Sequence, residues 1–229
     1  ASNSFPSSLL KELTTTIETL GHNPEVGVVV LKSQGTATFC AGASFDELLA
    51  VTTEAEGKTF FSGFANLINA MRKCPKIIVG RVQGKTVGGG VGIAAACDYV
   101  LATHEASVKL SELTIGIGPF VIEPAVSRKI GKTALAELSL VAGEWKSAAW
   151  AKEKGLFANT FATIEKLDEA LSILTRQLAS YNLEALAEMK KVLWEGTSHW
   201  DTLLLDRAAI TGTLVLSEAT KTALAAFKK

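Results

Sequence analysis

Apolar side chains recur every three to four residues in two segments of the first half of the chain, which predicts two amphipathic helices. The first segment has Leu9, Leu10, Leu13, Ile17 and Leu20, and the second has Phe60, Phe61, Phe64, Leu67, Ile68 and Met71. The first helix is expected to stop at Gly21, and the second is closed by Pro75. Each helix precedes a short apolar run, so the chain begins as an alternation of helix and strand.

The apolar runs at residues 28–31 and 77–82 are predicted to be strands buried in a sheet. A third strand is expected near residues 99–102, after a helix of small residues. Strands that are apolar on both faces are typical of parallel sheets covered by helices. We therefore predict an α/β fold with a largely parallel sheet and helices on its outer face.

From residue 132 onward the pattern is almost wholly helical, interrupted by one short apolar run at residues 156–161. Asn182 and Ser217 are typical of helix caps, and Gly196 is typical of a helix stop. No Pro-rich or Gly-rich linker separates the two halves. We predict an α/β core at residues 1–131 and a mainly helical C-terminal part at residues 132–229 that packs on the core or assembles subunits.

Composition narrows the classes of protein to which this chain can belong. Its 229 residues are 48% hydrophobic and 20% charged, with a formal net charge of zero. These values are typical of one large globular domain and give no electrostatic reason to expect nucleic acid as a partner. No run reaches the roughly 18 apolar residues of a membrane span. We expect a small-molecule substrate and no membrane partner.

The cysteines, the histidines and the first residue of the chain allow predictions about the cellular compartment, a metal site and the N-terminus. The three cysteines and three histidines are scattered, and no CxxC pair occurs. This pattern argues against a disulfide framework and a metal site, so we expect no bound metal and a reducing, cytoplasmic compartment. Because the chain begins on Ala1 without methionine, a natural N-terminal segment is expected to precede it.

The densest run of glycines lies between an apolar strand and a helix of small residues. Residues 84–92 read GKTVGGGVG. A P-loop is excluded because Val79 stands five places before Gly84, and a dinucleotide fingerprint is excluded because Ile93 is the sixth place counted from Gly88. Glycines at such a turn leave backbone N–H groups accessible to an anion, but they also occur where a helix touches a strand. Both interpretations stay open on these residues alone.

Three short blocks together carry a family resemblance. They are FCAGA at residues 39–43, GGG at residues 88–90 with Cys97 and Asp98 behind it, and Ser111-Glu112-Leu113 followed by Gly116 and Pro119. In order and spacing they resemble the signature blocks of the enoyl-CoA hydratase/isomerase family, the crotonase superfamily. The resemblance implies a crotonase-like repeated ββα spiral core with an α-helical C-terminal region that builds homotrimers or dimers of trimers. It also implies that a first β-hairpin of the fold is missing ahead of Ala1.

The resemblance implies an acyl-CoA enzyme that stabilises a thioester enolate. The backbone N–H groups of Ala43 and Gly89 match the family's two donors to the thioester oxygen, where negative charge develops. The carbonyl of Ala41 matches the group that holds the adenine amino group, so coenzyme A is expected as part of the substrate, with no separate cofactor. Further residues expected to contact substrate are Ser44, Phe45, Val87, Gly88, Pro119, Phe120, Phe227 and Lys228.

The chain departs from the family's hydratases at one of their two catalytic glutamates. Glu112 matches the second glutamate, but Gly92 stands at the position of the first. One acid suffices to move a proton between two carbons, as in the family's Δ3-Δ2 enoyl-CoA isomerases. Alternatively, Glu123 in its apolar stretch supplies the second acid of a hydratase, although a first-turn glutamate of a helix beginning near Pro124 also explains it.

Two further interpretations concern the type of function and the aromatic residues. A non-catalytic acyl-CoA-binding subunit that kept the fold but lost one acid is the alternative to an enzyme. Ser44 stands where many family members carry Asp, so a charge often found beside the oxyanion hole is missing. For Trp145, Trp150, Trp194 and Trp200 we predict packing or interface roles rather than catalytic ones.

Overall fold

A computed structural model describes residues 3–226 of the chain, which form two four-stranded sheets surrounded by helices. The strands are β1 (Val28–Lys32), β2 (Thr38–Cys40), β3 (Ile77–Val82), β4 (Lys85–Val87), β5 (Tyr99–Thr103), β6 (Ser107–Lys109), β7 (Lys146–Ser147) and β8 (Asn159–Phe161). The helices are α1 (Ser7–His22), α2 (Phe45–Ala50), α3 (Glu54–Lys73), α4 (Gly89–Ala96), α5 (Glu123–Leu140), α6 (Ala148–Glu153), α7 (Ile164–Ala179), α8 (Leu183–Leu193), α9 (Trp200–Leu214) and α10 (Glu218–Ala226). A short 3-10 helix spans Glu112–Ile115.

The first sheet has the strand order β1-β3-β5-β8, and all its neighbouring strands are parallel. All six residues of β3 are buried, as expected for a central strand covered on both faces. β1 lies at the edge of the sheet, where Val29 is buried and Val30 is exposed. The position predicted for this strand is confirmed, but the strand is only partly buried, because an edge strand has only one neighbour.

The second sheet has the order β2-β4-β6-β7, with β7 antiparallel to β6 and the other pairs parallel. The hydrophobic pattern predicts one sheet and therefore misses this one. Its strands are only two or three residues long, which is too short for an alternation of apolar and polar positions to show. The predicted fold class, α/β with mostly parallel strands, is confirmed.

The central helix α3 begins at a capping box. The hydroxyl of Thr53 accepts a hydrogen bond from the Glu56 N–H at 3.2 Å, and the Glu56 carboxylate accepts one from the Thr53 N–H at 3.1 Å. The buried face of α3 carries all six apolar residues on which its prediction rests. α4 is buried from Gly90 to Ala96, since its small side chains let it lie close to the second sheet and to α5.

The C-terminal helices pack on the core. α9 lies along α3, and the two backbones come so close at Gly57 and Gly212 that a methyl group on Gly57 would lie 2.7 Å from the Gly212 Cα. α8 is held by Lys190, whose Nζ lies 2.9 Å from a carboxylate oxygen of Asp98 in a buried ion pair. The caps predicted at Asn182 and Ser217 are confirmed. The division at residues 131/132 stays a prediction.

Several absences hold for the described part of the chain. None of the helices within residues 3–226 is long and apolar enough to cross a membrane. In the same part, no group of three or more His, Cys, Asp or Glu side chains is arranged to hold a metal ion. The three cysteines are free and buried.

Candidate active site

Two loops meet where β2 and β4 end side by side. β2 pairs with β4 through Cys40 and Thr86, so the segments that follow these strands leave the same edge of the sheet. Gly42 adopts φ +86°, and a methyl group there would lie 3.2 Å from the Val87 carbonyl oxygen and 3.8 Å from the Gly89 nitrogen. The contact between the two loops therefore requires a glycine at position 42.

The N–H groups of Ala43 and Gly89 are left free in this arrangement. Phe5 pairs with the first loop on one edge: its N–H donates to the Gly42 carbonyl, and its carbonyl accepts from the Ser44 N–H. The Ala43 N–H points to the opposite edge. Gly89 is the first residue of α4, whose leading N–H groups have no partner inside the helix. Within residues 3–226 no acceptor pairs with either group, so both can donate to a ligand.

Glycine is required at two positions beside these donors. Gly88 has φ +54° and ψ −123°, which L side chains rarely adopt, and a methyl group there would lie 2.9 Å from Oε1 of Glu112. A methyl group on Gly89 would overlap with the Phe64 ring. The glycine run therefore leaves backbone donors exposed and also lets α4 lie against a strand, since a methyl group on Gly90 would lie 2.7 Å from the Cβ of Cys40 in β2.

The carboxyl of Glu112 faces Gly88 at the start of the 3-10 helix. Although the residue as a whole is only half-buried, its Oε2 atom is fully buried and has no hydrogen-bond partner within residues 3–226. Burial of the carboxyl disfavours its charged form and raises the pKa of Glu112 to about 7. A carboxyl that titrates near neutral pH can both accept and return a proton during a reaction.

These groups line one cavity of about 330 Å³. Of the predicted site residues, the cavity is lined by Ala41, Ala43, Phe45, Val87, Gly88, Gly89 and Glu112. Apolar side chains that were not predicted complete the walls: Leu48, Phe61, Phe64, Ile115 and Ile117. A larger cavity of about 850 Å³ lies among α1, α3 and α9 and contains none of the predicted site residues.

Other predicted residues lie away from this cavity. The Ser44 hydroxyl accepts a hydrogen bond from the Glu47 N–H and caps α2. Pro119 and Phe120 are not among the residues that line the cavity, and the Phe120 ring packs over Gly118. Phe227 and Lys228, predicted to touch coenzyme A, lie outside the described residues.

The structure does not bring Glu123 together with Glu112. Glu123 is the first residue of α5, and its carboxylate pairs with Arg207 at 2.8 Å and with Lys132. It is absent from the cavity wall. These contacts favour the alternative of a first-turn glutamate, because the positive end of the helix and two cations stabilise the carboxylate where it is.

The space over Gly92 is filled. A methyl group on Gly92 would overlap with the Ile122 side chain, which is buried. Gly92 is itself buried in α4. A glutamate at position 92 would therefore collide with Ile122.

Sequence reasoning misses Lys109 and Trp145 at the cavity. Lys109 pairs with Val87 across β4 and β6, which places it beside the turn at Gly88 and Gly89. Its position two residues before Ser111, on a strand leading to Glu112, is the signal that could have identified it. Trp145 is predicted to have a packing or interface role, but it lines the cavity just before β7. No local pattern indicates this, because β6 and β7 are far apart in sequence.

Two free backbone donors beside a buried, unpaired carboxyl define a class of protein. Donors of this kind can stabilise an oxyanion formed from a carbonyl, and a carboxyl of this kind can move a proton on a neighbouring carbon. The sequence model described as enoyl-CoA hydratase/isomerase matches residues 1–223 of the chain. The chain therefore belongs to the enoyl-CoA hydratase/isomerase family.

Individual relatives agree with this assignment. The chain is 28% identical over 195 residues to a "probable enoyl-CoA hydratase" of Rhizobium meliloti (strain 1021), covering 84% of this chain and 73% of the relative. It is 24% identical over 197 residues to the peroxisomal Delta(3,5)-Delta(2,4)-dienoyl-CoA isomerase of Arabidopsis thaliana, covering 80% and 69%. The crystal structure of enoyl-CoA hydratase from Bacillus halodurans superposes with a TM-score of 0.91 at 20% identity, covering 98% of this chain and 91% of that chain. The crotonase-like fold implied by the resemblance is thus confirmed.

Proposed function

We propose that this chain shifts the double bond of an enoyl-CoA thioester, using Glu112 as its single acid/base. The observation that carries the proposal is the buried, unpartnered carboxyl of Glu112 in the same cavity as the free N–H groups of Ala43 and Gly89. Its raised pKa suits a group that must take up and release one proton near neutral pH. The apolar cavity walls suit a hydrocarbon acyl chain.

The reaction follows from these groups. With a 3-enoyl-CoA, the Glu112 carboxylate removes a proton from C2, and the electron pair moves into the C1–C2 bond and onto the thioester oxygen. The N–H groups of Ala43 and Gly89 donate to that oxygen and stabilise the enolate. The carboxyl then returns the proton to C4, the double bond settles between C2 and C3, and the thioester carbonyl re-forms. One acid completes the cycle, and no water is consumed.

Two contacts support one-acid chemistry over hydration. Ile122 occupies the space into which a side chain at position 92 would extend. The Glu123 carboxylate is engaged by Arg207 and Lys132. A hydratase needs a second group to hold and activate water, and neither position offers one to the cavity. The hydratase name of the Rhizobium relative favours hydration, for which the alternative is a two-acid enzyme with Glu123 as the second acid.

The test supplies the purified protein with a 3-enoyl-CoA and, separately, with a 2-enoyl-CoA. We expect the absorbance of the conjugated thioester to rise with the first substrate. We expect no 3-hydroxyacyl-CoA from the second. Glu112→Gln should abolish turnover while leaving the fold intact, and Glu105→Gln, at an exposed turn, is the matched control that should keep it.

Three results would contradict the proposal. Hydration of the 2-enoyl-CoA that disappears in Glu123→Gln would establish the two-acid alternative. Tight acyl-CoA binding without conversion of either substrate would indicate a non-catalytic binding subunit. Unchanged turnover in Glu112→Gln would exclude this carboxyl as the acid/base.

Assembly and location complete the proposal. A homotrimer, or a dimer of trimers, is supported by exposed apolar side chains in the helical C-terminal part, namely Ile173, Met189, Val192 and Leu193. Sedimentation of the purified protein tests this, and a monomer would exclude it.

Coenzyme A enters as part of the substrate, with its adenine at the Ala41 carbonyl. The proposed compartment is the cytoplasm, which a fluorescent fusion in the source cell would test.

A further inference from the structure

Two lysines converge on one tryptophan of the cavity wall. The Nζ atoms of Lys85 and Lys109 lie 5.4 Å and 5.6 Å from the centre of the Trp145 ring. Trp145 and Lys109 line the cavity, whereas Lys85 is exposed and is not among the lining residues. We call these three side chains the Lys-Trp cluster. It places one exposed lysine and one cavity-lining lysine on the same ring.

The second sheet explains why these residues meet. Val87 pairs with Lys109 across β4 and β6, and Lys85 lies two residues before Val87, so the two lysines point to the same face. β7 pairs with β6 through Val108 and Lys146, which sets Trp145 at the end of that ladder beside Lys109. The cluster is therefore built on paired strands, where side-chain positions are well defined.

The positive charge of the Lys-Trp cluster is not compensated by an ion pair. Within residues 3–226, neither Lys85 nor Lys109 pairs with a carboxylate. The two acidic side chains nearest before Trp145 in the sequence, Glu137 and Glu144, both pair with Lys146 instead, at 2.8 Å and 3.3 Å. Two like charges near one ring repel each other, and an anion that binds close to both offsets that repulsion.

We propose that the Lys-Trp cluster binds an anionic group of the thioester substrate, either the phosphates of its coenzyme A part or a carboxylate on its acyl part. Both are clusters of anionic oxygens, and lysine ammonium groups bind them through charge-assisted hydrogen bonds. The Trp145 indole holds both ammonium groups beside the cavity through cation–π contacts. This inference rests on the proposed function, since it assumes that an acyl thioester occupies the cavity.

Calorimetric titration tests the inference with three ligands that the enzyme cannot isomerise. Hexanoyl-CoA carries phosphates, hexanoyl-pantetheine carries neither phosphate nor carboxylate, and glutaryl-pantetheine carries only an acyl carboxylate. Each is titrated into the wild type, Lys85→Gln, Lys109→Gln and the double variant. Lys11→Gln, on the exposed side of α1, is the control for loss of one positive charge.

The two sources of the anion give different results. If the phosphates bind, each lysine substitution weakens hexanoyl-CoA binding by about tenfold, the effect of one lost charge-assisted hydrogen bond, and leaves both pantetheine ligands unchanged. If an acyl carboxylate binds, the wild type prefers glutaryl-pantetheine over hexanoyl-pantetheine, and the double variant loses that preference. In either case the affinity for the responsive ligand falls steeply with salt in the wild type and less in the double variant.

The failure of this inference can be told apart from the failure of the proposed function. Affinities for all three ligands that match those of Lys11→Gln would overturn the inference and leave the proposed function intact. A wild-type protein that binds none of the thioesters would overturn the proposed function, and the inference with it. Equal losses for all three ligands would indicate a damaged cavity and would also overturn the role of charge.

Discussion

At the scale of single residues, the carboxyl of Glu112 should make catalysis depend on pH. Burial raises its pKa from about 4.5 to about 7, and only the ionised carboxylate can remove the C2 proton. We expect kcat/KM for the 3-enoyl-CoA to rise about tenfold per pH unit below pH 7 and to level off above it. The measurement is a pH–rate profile between about pH 5 and 9 with a check that the protein stays folded. A profile that is flat below the raised pKa would contradict the assignment.

The same pKa shift should make stability fall as the pH rises. Between about pH 4.5 and 7 the folded protein keeps the Glu112 proton while the unfolded chain has released it, so the free energy of unfolding decreases with pH across this window. Because one pKa unit corresponds to roughly 1.4 kcal/mol, the change should be on the order of 3 kcal/mol. Urea unfolding at about pH 4.5 and 8 measures it against Glu112→Gln, which lacks the titration. Parallel pH dependences in the two proteins would exclude a buried carboxyl.

Gly88 should be intolerant of even one methyl group. Gly88→Ala forces a side chain into a backbone conformation with φ +54° and sets its methyl group 2.9 Å from the Glu112 carboxyl. We expect a stability loss of about 1–3 kcal/mol, together with a pronounced loss of turnover because the acid is displaced. Gly143→Ala is the matched control, since a methyl group there meets nothing within 4 Å. Equal turnover in both variants would show that Gly88 does not position Glu112.

At the scale of secondary-structure elements, the contact between α3 and α9 depends on two glycines. A methyl group on Gly57 would lie 2.7 Å from the Gly212 backbone, whereas one on Gly63 of the same helix would lie 2.9 Å from the end of the movable Leu10 side chain. Gly57→Ala should therefore destabilise by about 2 kcal/mol despite the higher helix propensity of alanine, and Gly63→Ala by less. Chemical denaturation of the pair measures the difference. Equal losses would mean that α9 does not press on α3 at this point.

The elements also show which parts of the fold the sequence can predict. The strongly periodic helix α3 and the continuous apolar strand β3 are predictable, because their own residues carry the signal. The pairing of β6 with β7 is not predictable, because these strands are only two or three residues long and lie far apart in the chain. Nothing local therefore indicates that Lys109 and Trp145 meet.

In the candidate site, too, the sequence predicts some features and not others. Ala43, Gly89 and Glu112 can be found from their sequence blocks, and they line one cavity in the structure. The sequence does not show that Ile122 fills the space over Gly92, since this depends on how α4 and the start of α5 pack. The engagement of Glu123 by Arg207 likewise depends on a contact between α5 and α9. Contacts between elements distant in sequence carry no periodic signal.

At the scale of the whole molecule, the helical C-terminal part is fastened to the core through Asp98. One oxygen of its carboxylate accepts from the Ile78 N–H at 2.8 Å and pairs with Lys190 at 2.9 Å, and the other accepts from the Trp194 indole at 2.7 Å. The side chains of Asp98 and Lys190 are only 2% and 3% exposed. The ion pair therefore joins α8 to the first sheet in a place that water does not reach.

Breaking this ion pair should destabilise the whole chain rather than α8 alone. Lys190→Met leaves the buried Asp98 carboxylate without its cation, which costs about 3–5 kcal/mol, whereas Lys191→Met removes only an exposed pair with Glu188 and should cost about 0.5 kcal/mol or less. Because α9 also packs along α3, we expect one cooperative transition when unfolding is followed by both circular dichroism and tryptophan fluorescence. Two separate transitions in Lys190→Met would instead mean that the helical part folds as an independent unit, joined to the core mainly by this one buried pair.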